Sequence, residues 1–172
     1  EQHHEEARYR AEVAAIEATL DPGLDPGVRY QDAAIRWSCR KIHAADGLAI
    51  WAHPYWVNSD MYNVPEAVQR LQWAAPEFDA LELIGGFHRH EQESNALQVA
   101  RYTEELARGR RPAVVGCSDA HGCDTGELFG WYYTVVMAPT PAFPDVAAAI
   151  RAQRSVAVEG PLEQAPRVHG PF

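Results

Sequence analysis

Asp119 and His121 stand two residues apart in the stretch Gly116-Cys117-Ser118-Asp119-Ala120-His121-Gly122-Cys123-Asp124-Thr125, where an apolar run ends. In an extended backbone residues i and i+2 share a face, so the two side chains can reach into one pocket. A hard carboxylate beside an imidazole is a mixed ligand set suited to Zn, Mn or Fe and not to calcium. The same stretch also reads as a plain turn, because Asp, Ser and Gly form turns through local hydrogen bonds and positive φ. The preceding strand shifts the balance toward the metal: residues 111 to 117 form a short unbroken apolar run of the kind seen in strands buried on both faces.

Other chemistry-capable residues also sit at the ends of apolar runs. His53 closes Leu48-Ala49-Ile50-Trp51-Ala52 and precedes Pro54, a position that favours a ligand over a hydrogen-bonded core imidazole. Glu82 lies late in Ala80-Leu81-Glu82-Leu83-Ile84, where it is costly unless paired or metal-bound, although alternation can turn it outward. His88 and His90 follow Gly85-Gly86; His88, nearer the strand, is the better ligand candidate, and the loop also reads as a solvated face. Arg89 is a candidate to hold an anion at the rim, and Tyr55, beside His53, to touch substrate. Tyr55 also groups with Trp51, Trp56 and Trp131, aromatic residues that more often form core or wall.

The elements that must present these residues are helices and strands in alternation. Tyr9, Val13, Ile16 and Leu20 keep helical spacing up to Asp21-Pro22-Gly23 and Asp25-Pro26-Gly27, two turn signals. Ile35, Cys39 and Ile42 mark a second helix that meets Gly47, a natural left-handed residue past a helix end. Strands are expected at 48–52, 78–84, 111–117, 131–137 and 155–159, with helices through Val64–Ala75, Ala96–Ala107 and Phe143–Ile150 between them. Such alternation implies an α/β fold of parallel strand–helix repeats. Parallel strands all end on one face, and that face carries the active site in barrels and open sheets alike. The organisation expected is leading helices over 1–46, a strand–helix body over 47–160 and an irregular tail over 161–172.

With 172 residues, 47% of them hydrophobic, the chain is long enough for one domain with a sizeable core. A net charge of −9 argues against nucleic acid as a partner. Cys39, Cys117 and Cys123 match no metal-binding spacing and are read as packing residues in a reducing compartment. There is no apolar run long enough for a membrane span, and the acidic start is unlike a signal peptide, so a cytoplasmic protein is expected. The chain begins without Met, as a processed or excised piece would.

His53-Pro54 after one strand, a Glu in the next, and Gly-x-Ser-Asp-Ala-His before a Gly-rich loop make the chain resemble the polymerase and histidinol phosphatase (PHP) domain superfamily, over roughly residues 35 to 160. The resemblance implies the C-terminal portion of a distorted (β/α)7 barrel and, in the complete domain, two or three Zn, Mn or Fe ions. It implies that His53 is the late-barrel His ligand, that Asp119 and His121 are the last ligand pair and carry catalysis, and that His88 sits where some members place another His. The activity implied is phosphoester hydrolysis on a small phosphorylated substrate, by attack of a metal-activated water. The superfamily's opening His-x-His and the His and Glu of its next strands are absent, and the adjacent His3 and His4 do not replace them. The segment from Glu1 to about Gly47 is therefore expected to replace or follow missing strands, with a homo-oligomeric partner or a preceding segment covering the open strand edges. Two other readings stay open: a degenerate PHP-like scaffold that has lost its metals, and a metal-dependent hydrolase of carbon–nitrogen bonds.

Overall fold

The computed structural model describes residues 7–58, 61–86, 92–121, 130–160 and 167–170. The chain divides into two compact units, one of Glu1–Ala49 with Val64–Glu77, the other of Ile50–Asn63 with Phe78–Phe172.

The first unit is helical. Helix α1 spans Ala7–Glu17, α2 Pro26–Ala44 and α3 Glu66–Ala74. The helically spaced Tyr9, Val13 and Ile16 are buried with Ala33, and Leu20 and Trp37 pack against them. The second of the two turn signals proves to be a helix start: Asp25 accepts hydrogen bonds from the backbone of Gly27 at 2.9 Å and Val28 at 3.1 Å, with Pro26 in the first turn. At the other end of α2 the left-handed residue is Asp46, at φ 56°, rather than the expected Gly47. Gly47 is needed for a different reason: a Cβ there would lie 2.7 Å from Ile42 Cγ2 and 2.9 Å from its carbonyl oxygen. A polar network ties α2 to α3. Asp32, 0% exposed, accepts from Arg36 Nε and Gln72 Nε2, both at 2.7 Å, while Glu77 accepts from Arg36 and Arg40.

The second unit holds the strands that carry the candidate site. Strands β1 (Ile50–Trp51), β4 (Ala80–Gly85) and β5 (Ala113–Cys117) form a parallel sheet in the order β1-β4-β5. Helix α4 (Gln92–Ala107) connects β4 to β5 and turns at Gly109, φ 82°. Every residue of β4 is buried, as a central parallel strand requires. Its register against β5 slips between Glu82 and Ile84, so simple alternation does not decide where Glu82 points. A small hairpin, β2 (Val57–Asn58) with β3 (Met61–Tyr62), follows β1.

Parallel repeats do not continue to the end of the unit. Strands β6 (Tyr132–Val136), β7 (Ser155–Glu159) and β8 (Arg167–His169) form a separate antiparallel sheet, with Tyr132 opposite Glu159 and Val136 opposite Ser155. Helix α5 (Phe143–Arg151) is not a crossover helix, because the chain returns at the end of the sheet where it left. Met137 N–H donating to the Arg154 carbonyl at 2.9 Å extends that pairing beyond the strands. Side chains join the two sheets: Thr134 Oγ1 donates to the Gly116 carbonyl at 2.8 Å and accepts from its N–H at 3.0 Å, and Ser155 Oγ donates to the Val114 carbonyl at 2.8 Å. A Cβ on Gly116 would stand 2.8 Å from the Tyr133 carbonyl, so this approach requires glycine. The protein is thus a mixed α/β structure with one parallel and one antiparallel three-stranded sheet, and among the described residues no ladder closes them into a barrel. No described helix is long and apolar enough to cross a membrane.

Candidate functional site

His53 and Glu82 meet at the carboxyl end of the parallel sheet. Glu82 is 1% exposed, and its Oε2 accepts from the His53 backbone N–H at 3.0 Å and lies 2.9 Å from His53 Nδ1. The pairing answers the cost of a carboxylate in an apolar strand, and Glu82 does not turn outward. His53 has φ 29°, in the left-handed region that residues bearing a Cβ rarely occupy. Contacts that hold it there include the Glu82 carboxylate on its N–H, the Trp56 N–H at 3.2 Å and Asn63 Nδ2 at 3.4 Å on its carbonyl, and the Trp56 ring stacked on its imidazole at 4.6 Å and 29°.

Space for the carboxylate comes from Gly85, one of the reasons this strand ends in glycine. A Cβ at Gly85 would lie 1.9 Å from Glu82 Oε1 and 2.8 Å from the Cys117 carbonyl. Asn95 at the start of α4 fixes the strand end by accepting from Gly85 N–H at 3.0 Å and donating to its carbonyl at 2.7 Å. Glu82 Oε1 is buried and has no N–H or O–H donor among the described residues. What faces the carboxylate is the Cys117 thiol, a weak donor. The Cys117 pKa is pushed up to about 12, first by burial of the thiol and then by the charge and hydrogen bond of Glu82, with a backbone hydrogen bond from Asp119 opposing the rise. Cys117 is thus not the buried packing residue expected: it is exposed at the end of β5 while its sulfur leans on the site. Cys39 is buried, as expected, and Cys123 lies outside the described residues.

The remaining candidates are placed as follows. Asp119 stands two residues past the end of β5 and is half-buried, with φ 49°, a second strand-end candidate in the left-handed region. His121, two residues on, is exposed. Tyr55 is 2% exposed, and its ring centroid lies 6.3 Å from that of Trp51, which also packs on Phe78 at 5.0 Å. His88, Arg89 and His90 lie outside the described residues. Contacts therefore run from His53, just beyond β1, to Glu82 within β4 and on to Cys117 at the end of β5, whose sulfur takes a hydrogen bond from the backbone of Asp119 rather than meeting its carboxylate. For a divalent ion, imidazole with carboxylates is a suitable donor set, and the buried Oε1 of Glu82 has no N–H or O–H donor among the described residues, with the weak Cys117 thiol beside the carboxylate. Among the described residues, however, no three His, Cys, Asp or Glu side chains converge as a metal-holding group. The pairing of Glu82 with His53 was not predictable from spacing alone; the signal available was a single carboxylate between Leu81 and Leu83, followed three residues later by glycine.

No family model matches this chain. None of the curated proteins compared with it matches either. One solved structure similar to it is the crystal structure of a two-domain protein containing a predicted PHP-like metal-dependent phosphoesterase from Bacteroides vulgatus ATCC 8482, with a TM-score of 0.49 and 16% identity. The match covers 76% of this chain and 36% of that one, so the chain spans about a third of its length. A likeness at that level leaves the chemistry to the residues themselves.

Proposed function

We propose that the chain is the later portion of a PHP-type metal-dependent phosphoesterase that acts on a small phosphorylated molecule. The supporting observation is the Glu82 carboxylate bridging neighbouring strands of the parallel sheet, bonded to His53 just beyond β1 and set against Cys117 at the end of β5, two residues before Asp119, at the rim where α/β enzymes do their chemistry. In this reading His53, Asp119 and His121, with His88, would hold the divalent ions, Zn, Mn or Fe. When bound, such an ion lowers the pKa of a coordinated water to about 7 and neutralises charge on phosphoryl oxygens. Asp119 and His121 would hold and take the proton of the attacking water, Arg89 would meet the anionic substrate, and buried Tyr55 would serve as wall behind His53. Early strands supplied by a preceding segment or by a second copy of the chain would complete the barrel and the ligand set, in a cytoplasmic protein that binds neither nucleic acid nor membrane.

The test is equilibrium dialysis against Mn, Zn and Fe, with turnover of p-nitrophenyl phosphate, on the polypeptide encoded by the uninterrupted reading frame. Bound metal and phosphate release that both fall in His53→Ala and Asp119→Asn are expected. Failure to retain any of the three metals would overturn the reading. Release of product from an amide substrate but not from the phosphate ester would move the chemistry to carbon–nitrogen bonds. A second reading is a PHP-like scaffold without metals, and the same dialysis decides between the two.

A further inference from the structure

We propose that Glu82 is the positioning residue of His53: it holds the imidazole in the tautomer with the proton on Nδ1, so that Nε2 carries the lone pair. The oxygen that lies 2.9 Å from Nδ1 also accepts the backbone N–H of the same residue at 3.0 Å. A carboxylate oxygen has no proton to give, so Oε2 accepts from the ring as it does from the backbone N–H, which puts the ring proton on Nδ1. Two bonds from one oxygen to one residue close a small ring of contacts that fixes both the backbone and the imidazole. The left-handed φ of 29° and the stacked Trp56 show how tightly the residue is over-determined.

The surroundings serve the same end. Gly85 leaves room that a Cβ would take from the carboxylate, and Asn95 pins Gly85 through both its N–H and its carbonyl. Histidines that act through one ring nitrogen are regularly oriented by a carboxylate on the other, and loss of that carboxylate typically weakens metal affinity by about 10–100-fold. The purpose assigned to the lone pair on Nε2 rests on the phosphoesterase reading; the tautomer does not.

The experiment is nitrogen-15 NMR of histidine-labelled, metal-free protein at neutral pH, with His53 assigned by comparison with His53→Gln. His53 is expected to be protonated on Nδ1. In Glu82→Met, which removes the acceptor at similar volume, it should move toward the Nε2-protonated form that unrestrained imidazoles prefer. In Glu82→Gln, whose side-chain oxygen can accept both bonds, the Nδ1-protonated form should return. Protonation on Nε2 in the unaltered protein overturns the proposal, and so does an unchanged tautomer in a folded Glu82→Met variant. Should Glu82→Met fail to fold, the tautomers of the unaltered protein and of Glu82→Gln decide, both being required on Nδ1. A Nδ1-protonated His53 in a protein that binds no metal upholds the positioning role and sinks the phosphoesterase reading; bound metal with protonation on Nε2 does the reverse.

Discussion

Replacing Gly85 by Ala would place a methyl group 1.9 Å from Glu82 Oε1 and 2.8 Å from the Cys117 carbonyl. Ordinary contact begins near 3.4 Å, so the carboxylate must retreat by 3.4 − 1.9 = 1.5 Å, the end of a side chain moving more cheaply than the β5 backbone on the other side. A shift of that size carries Oε2 out of hydrogen-bonding range of both His53 N–H and Nδ1, now at 3.0 and 2.9 Å. Hydrogen bonds to a charged group contribute about 1.5–3 kcal/mol each, and partial resolvation of the displaced carboxylate returns some of that. The expected loss is about 3–5 kcal/mol, or roughly 10 °C in melting temperature for a chain of this size. Urea and thermal unfolding followed by tryptophan fluorescence measure it, and the NMR signals of His53 report whether the site itself has moved. Gly109→Ala is the control: its φ of 82° is strained for alanine but a Cβ there meets nothing within 4 Å, so the cost should stay at about 1–2 kcal/mol with His53 unchanged. A Gly85→Ala protein that unfolds at the same urea concentration as the unaltered chain, with His53 signals in place, would refute the view that this glycine makes room for the buried carboxylate.

Asp32→Ala should destabilise the helical unit by about 3 kcal/mol, because Gln72 Nε2 and Arg36 lose a fully buried acceptor, Arg36 keeping Glu77; the urea midpoint checks this. The Glu12 carboxyl is drawn down to about 2 by hydrogen bonds from Lys41, Arg8 and Trp37. A depressed carboxyl pKa adds stability that is complete above its ordinary value of 4.5 and disappears as pH falls through about 2. The urea midpoint should therefore decline with acidification across that window, and Glu12→Gln should flatten this part of the decline. A curve for Glu12→Gln as steep as that of the unaltered protein would refute the assignment.

Helix α1 was legible because it buries the stripe its spacing marks, Tyr9, Val13 and Ile16, and Ser155–Glu159 is the strand expected; α4 covers the range expected, but the face it buries is Asn95, Gln98, Tyr102 and Glu105, while the apolar Ala96, Ala100 and Ala107 are exposed. Three features were hidden for identifiable reasons. Strand direction is set by where a connection re-enters the sheet, so a βαβ pattern around Phe143–Arg151 looks the same in sequence whether β6 and β7 run parallel or, as here, antiparallel. The hairpin at Val57–Tyr62 and strand β8 are too short for periodicity to register, and Val57, Met61 and Val168 are exposed. Glu82 was ambiguous because the register slip in β4 suspends alternation at that point. At the site, Asp119 and His53 stood out as strand-end residues, whereas the partner that holds His53 is 29 positions away and only the fold brings it near.

The helical unit is assembled from two stretches of chain with the β1 strand and the small hairpin threaded between them. On the ribosome, α2 is complete at Ala44, and α3 begins 66 − 44 = 22 residues later. At about 5–20 residues per second that is an interval of roughly one to four seconds. During it Asp32, Arg36 and Arg40 are made but Gln72 and Glu77 are not. The nascent helix pair therefore waits with half of its polar network unanswered, and β1 emerges before the first unit can close.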